Sequence, residues 1–157
     1  MRKEHDCEAC RLRAAGLSEG ATLATVAEHD RQAIAQFGWT AHHIVDGQVP
    51  SAHTHGLMER FEHLDVQVVL PATPETIQAL LAPIAVAVTR GRRFGAGDEV
   101  RGVFNVPLRF VERPEGGRTV LRALFPDPEG RWPDDPNVAA GYELQLALLE
   151  GEAAVSP

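Results

Sequence analysis

The chain has 157 residues, 44% of them hydrophobic and 24% charged, which is the size and make-up of one soluble globular domain. A formal charge of -7 excludes a protein that grips nucleic acid by its phosphates, since that needs a basic surface. No window approaches the ~18 uncharged apolar residues of a membrane span, and no apolar run follows the basic residues at the start, so a cytoplasmic protein without a membrane segment is expected.

Residues 1–20 are charged and rich in glycine and alanine, which predicts a weakly ordered leader, with a single compact domain over 21–157. The only two cysteines, Cys7 and Cys10, lie in that leader, so no disulfide staples the domain. Leu23, Val26, Ala27, Ile34 and Phe37 recur at helical spacings, which predicts a helix over 22–37 with Gly38 as its left-handed stop. "WTAHHIV" and "VPSAHTHGL" read as two strands joined by a two-residue turn at Asp46 and Gly47. A third strand is expected over 64–70. "TPET" opens a second helix, with Thr73 as cap, Pro74 in the first turn and Pro83 as a source of a kink. Ile77, Leu80, Leu81, Ile84 and Val88 are its buried stripe, and Gly91 its end. "VRGVFNV", "PLRFVER" and "TVLRALF" follow as strands, the last two linked through "PEGG". A proline-rich loop and a short apolar segment close the chain. This order predicts an α+β domain in which a largely antiparallel sheet packs with two main helices.

Seven histidines occur, and three of them stand between Pro50 and Pro71. Strand alternation puts His53 and His55 on one face. A two-residue turn would set His42 opposite Ser51 on that same face, with His43 and Thr54 on the other. Imidazoles suit zinc, iron, copper or nickel, and a His-x-His pair with one further ligand is the open three-ligand site of catalytic metals. His42, His53, His55 and Glu59 are therefore the candidate ligands, with Glu62 and Asp65 nearby. The plainer alternative is three ordinary strand histidines, hydrogen-bonded or half exposed. "GQVPSAHTHGLME" has the spacing of the first cupin motif. Val66 stands where that motif expects glycine, however, and no histidine beyond His63 can supply the second motif's ligand.

His5, Cys7 and Cys10 form a second candidate, for a metal or a redox role, although a full zinc site would need ligands from elsewhere. Asp127, Glu129, Asp134 and Asp135 read as turn carboxylates rather than a cation site. Trp132 is a packing anchor for that loop or a contact for a partner. Arg90, Arg92 and Arg93 suit a helix C-terminus. No nucleophile elbow, phosphate loop or dinucleotide fingerprint is present.

"FGWTAHHIVDGQVPSAHTHGL", "FEHLDVQVVLP", "RGRRFGAGDEV", "TVLRALFPDPEGRWPDDP" and the late "YELQLALL" together resemble the bacterial family known as domain of unknown function 4262. Gly38, Trp39, Thr54, Gly56, Leu57, His63, Pro126, Asp127 and Gly130 occupy its motif positions. His53 stands where the family usually has tyrosine, and "HLDV" lacks its proline. Several members also carry a Cys-x-x-Cys like that of Cys7 and Cys10. The resemblance implies a soluble α+β domain and no particular activity. Two functions then compete: a protein that binds zinc or iron and acts on a small molecule, or a non-catalytic accessory or immunity-type module that meets a protein partner through its acidic surface and Trp132. Enzyme status and self-association are left open by the sequence.

Overall fold

The computed structural model describes residues 19–45 and 48–149, with side chains from residue 24 onward. Helix α1 (Glu19–Phe37) leads into strands β1 (Thr40–Ile44) and β2 (Ser51–His55). The short helix α2 (Leu57–Phe61), strand β3 (Val66–Val69) and helix α3 (Pro74–Thr89) follow. Strands β4 (Glu99–Val100), β5 (Leu108–Glu115) and β6 (Arg118–Leu124) and a 3-10 turn (Tyr142–Leu146) complete the order. The strands form one sheet in the order β1-β2-β3-β6-β5-β4, in which only β3 and β6 run parallel. This is the expected α+β architecture.

α3 forms for the reasons the sequence offers. Thr73 accepts from the Thr76 amide at 3.2 Å, Pro74 fills the first turn, and Ile77, Leu81, Ile84, Ala85 and Val88 recur on the buried side. The helix runs on through Pro83. Its stripe packs on β2 and β3, where Ala52, Val66 and Val68 join Leu108, Phe110, Leu121 and Ala123 in the core. Each large aliphatic side chain buried there contributes about 1.5–3 kcal/mol. α1 behaves differently from its periodicity. None of its described side chains enters the core cluster, and Phe37 is exposed, because the helix lies along edge strand β1 instead of over the sheet.

Three local expectations are corrected. The last β1–β2 pair is Ile44–Ser51, with residues 45–50 between them, so the hairpin loop is longer than two residues. Pro50 has no amide to lend to β1, and its carbonyl accepts from Leu70, which turns the chain toward β3. Asp46 and Gly47 themselves lie outside the described residues. "VRGVFNV" supplies only the two-residue β4: Gly102 takes φ 91°, and the Arg92 guanidinium occupies the Arg101 carbonyl, so the ladder stops. The second strand, expected to run to Leu57, ends at His55, and α2 begins at Leu57. Gly56 takes φ 107° there, and a Cβ on it would lie 2.8 Å from the Gly38 carbonyl oxygen, so only glycine lets the chain turn beneath the end of α1.

The sheet has one face on α3 and the core. On its other face, one lateral row runs His42, His53, Gln67, Arg122, Val111. Its first four members are polar although His53, Gln67 and Arg122 are buried. Arg122, fully buried, donates to Gln67 Oε1 at 2.7 Å and to the carbonyls of Gln145 and Ala147. The C-terminal turn thus covers the middle of a face that alternation alone would assign to solvent.

Candidate functional site

His42, His53 and His55 converge. Each offers a ring nitrogen, and these three atoms lie within 4.8 Å of one another. Ring centroids are 4.5 Å apart for His42–His55, 5.0 Å for His53–His55 and 5.6 Å for His42–His53. The pairing differs from the sequence expectation by two residues: His42 faces His53 directly, and His55 is paired with Thr40. A shift of two leaves every side chain on its face, so the convergence survives the longer loop. His43 points to the α3 layer, where its Nε2 meets Gln78 Oε1 at 2.8 Å. Thr54 shares that side.

Two carboxylates back the cluster. Asp30, on α1, lies 2.7 Å from His42 Nε2. Glu115, at the end of β5, lies 3.7 Å from His53 Nε2. The Nδ1 of His53 is buried and has no hydrogen-bond partner. At 3.7 Å Glu115 is a neighbouring charge and not a hydrogen-bond acceptor, and its field favours the proton on Nε2 with the Nδ1 lone pair left free, the usual state of a metal-ligating imidazole. Glu59 does not join this group. It sits exposed on α2, because the turn at Gly56 takes the chain away from the histidine face immediately after His55. Glu62, the exposed C-cap of α2, is likewise outside it.

Arg118 organises the rim. A two-residue turn at Gly116 and Gly117, both with positive φ, sets it opposite Glu115, whose Oε2 accepts from its Nε at 2.7 Å. The same guanidinium donates to Asp65 Oδ2 at 3.0 Å and to the Thr54 carbonyl at 2.8 Å, and its Nη2 lies 3.5 Å from His55 Nε2. Asp65 Oδ1 in turn accepts from Thr54 Oγ1 at 2.7 Å and from the Leu57 amide at 3.1 Å. The residue between the two strand histidines is therefore locked from its backbone and its side chain.

Burial pushes the His53 imidazole down to about 4, with Glu115 opposing that shift and His55, Arg118 and His42 adding to it. Burial, and then Arg118, also lowers His55. Burial raises Glu115, but the Arg118 hydrogen bond and the neighbouring charges outweigh it, and its carboxyl falls below the usual range. His53 and His55 are thus neutral at pH 7, as metal ligation requires. Three imidazole nitrogens match zinc, iron, copper or nickel far better than magnesium or calcium, and three protein ligands leave coordination positions open.

The remaining candidates fall elsewhere. His5, Cys7 and Cys10 lie outside the described residues. Asp127 is turned inward: Oδ1 accepts from the amides of Glu129 and Arg131 and Oδ2 from that of Ala139, so it organises the loop. Trp132 stacks under the Arg109 guanidinium at 4.0 Å. His63 is buried, with Nδ1 against the Leu64 carbonyl at 2.7 Å and Nε2 accepting from the Phe94 amide, which makes it a structural bridge. Sequence reasoning passed over Asp30, Glu115 and Arg118. A motif scan has no signal for them, because a helix and a hairpin tip distant in the chain bring them to the strand.

Among the described residues no helix is long and apolar enough to cross a membrane. The family model described as Domain of unknown function (DUF4262) matches residues 33–139, a span that holds all three histidines, Glu115, Arg118 and Trp132. No curated protein and no solved structure matches the chain.

Proposed function

The chain belongs to the DUF4262 family, and we propose that it binds one transition-metal ion, zinc or iron, through His42, His53 and His55 and uses the open coordination position on a small molecule. The observation that carries this reading is the convergence of one ring nitrogen from each histidine within 4.8 Å, together with a His53 Nδ1 that is buried and has no partner. Buried polar atoms are nearly always paired, so such an atom inside a group of ligand-type side chains favours an ion over three unrelated histidines. Asp30 supports it as an outer carboxylate hydrogen-bonded to the His42 ring, and Glu115 places a negative charge beside His53. A bound ion supplies Lewis acidity toward a polar group of the small molecule. Arg118 fixes Glu115 beside the site, and burial of His53 keeps that side free of water.

The test uses the full chain, dialysed against zinc and against ferrous iron and then against metal-free buffer. Elemental analysis should find about one ion per chain retained, and none after His53 and His55 are both changed to alanine. Equal metal content in the parent protein and the double variant would reject the reading.

A further inference from the structure

On the histidine side of the sheet, a cavity of about 380 Å³ opens between β5 and the loop that carries Trp132. Val111, Leu124, Pro133 and Leu146 give it apolar walls, the Trp132 ring closes one side, and Arg109 and Arg113 reach it from β5. The two arginines differ. Arg109 is committed, with Glu99 Oε1 3.2 Å from its Nε and the Trp132 ring beneath its guanidinium. Arg113 makes no ion pair among the described residues. Its one hydrogen bond runs from Nη1 to the adjacent Glu112 carbonyl at 3.2 Å, and its Nε is buried with no partner. That Nε has no surface open to the cavity, so a ligand there would meet the Nη groups, of which Nη2 has no hydrogen-bond partner among the described residues, and a guanidinium edge of this kind matches a carboxylate.

We infer that this cavity is a binding site for a small organic carboxylate, with the acid group on Arg113 and an apolar, ring-sized body between Trp132 and the aliphatic wall. The volume lies at the lower end of the range for small-molecule pockets, room for roughly one ring and its substituent. A monoanion fits better than a phosphate. Only one guanidinium is free, and Glu112 and Asp134, exposed at the edge of the cavity, repel a second negative charge. The site stands apart from the metal reading, since no histidine lines it.

The test is a titration of the isotopically labelled full chain with benzoate and, separately, with its neutral counterpart benzamide, followed by amide and indole shifts. Benzoate should produce saturable shifts at Val111, Arg113 and the Trp132 indole, and bind at least about tenfold more tightly than benzamide. Arg113→Gln should weaken benzoate about tenfold, to the level of benzamide, with an unchanged melting temperature, because the side chain holds only its neighbour's carbonyl. Should that variant unfold, the comparison of the two probes on the parent protein still decides. Equal binding of the two probes, shifts confined to other surfaces, or no saturation up to about 10 mM benzoate would overturn the assignment.

Discussion

Asp65→Ala removes the acceptor that joins β2, α2 and the β5–β6 turn. In the folded protein this carboxylate is 5% exposed and takes hydrogen bonds from the Thr54 hydroxyl, the Leu57 amide and the Arg118 guanidinium. Alanine strands the first two donors inside the protein, at about 1–3 kcal/mol each. The Arg118 contribution is smaller than that of a fully buried pair, because that side chain is 27% exposed and water screens it. The expected loss is about 4 kcal/mol, against a total stability of about 5–15 kcal/mol for a domain of this kind. Urea unfolding followed by tryptophan fluorescence should show a lower midpoint with an unchanged slope, and the melting temperature should fall by about 10 °C. Asp65→Asn separates the parts. It keeps an acceptor for Thr54 and Leu57 but loses the charge facing Arg118, so it should cost about half as much. A loss under about 1 kcal/mol for the alanine variant would refute the view that Asp65 holds this corner together.

Metal-free protein should lose about 3 kcal/mol of stability between pH 7 and pH 4, because His53 titrates at about 4 when folded and near 6.5 when unfolded. The sign follows from proton counting: as the pH falls through that window the unfolded chain binds a proton that the folded chain refuses. Urea midpoints across pH in chelator should show the slope, and His53→Gln should flatten it. Asp30→Asn should weaken zinc binding about 10–100-fold in a competition with a chromophoric chelator, while the melting temperature changes little, since its partner His42 is half-exposed. Asp127→Ala should speed hydrogen exchange at the amides of Glu129, Arg131 and Ala139 and leave β6 protected, because those three amides are the ones its carboxylate holds.

The histidine convergence was legible in the sequence because it depends on parity. His42, His53 and His55 occupy one face whether the hairpin loop has two residues or six, and the error in loop length moved the pairing by an even number. α3 was legible because its cap, its early proline and its apolar stripe agree. The two carboxylates behind the cluster were not. Glu59 is close to His55 in the chain, but one left-handed glycine sends it to the opposite side of a turn, whereas Asp30 and Glu115 reach the cluster only through the packing of α1 and the β5–β6 turn. Arg122 was hidden for a related reason. It occupies an outward-facing strand position, and only the return of the C-terminal turn across the sheet makes that position interior.

The central claim is that His42, His53 and His55 share one ion. Its most direct measurement is anomalous diffraction at the zinc edge from crystals of the full chain grown with about one equivalent of zinc. The account predicts a single strong peak within coordinating distance, about 2.0–2.1 Å, of one nitrogen from each of the three rings. A peak on Cys7 and Cys10 instead, or no peak among the three histidines, would contradict it.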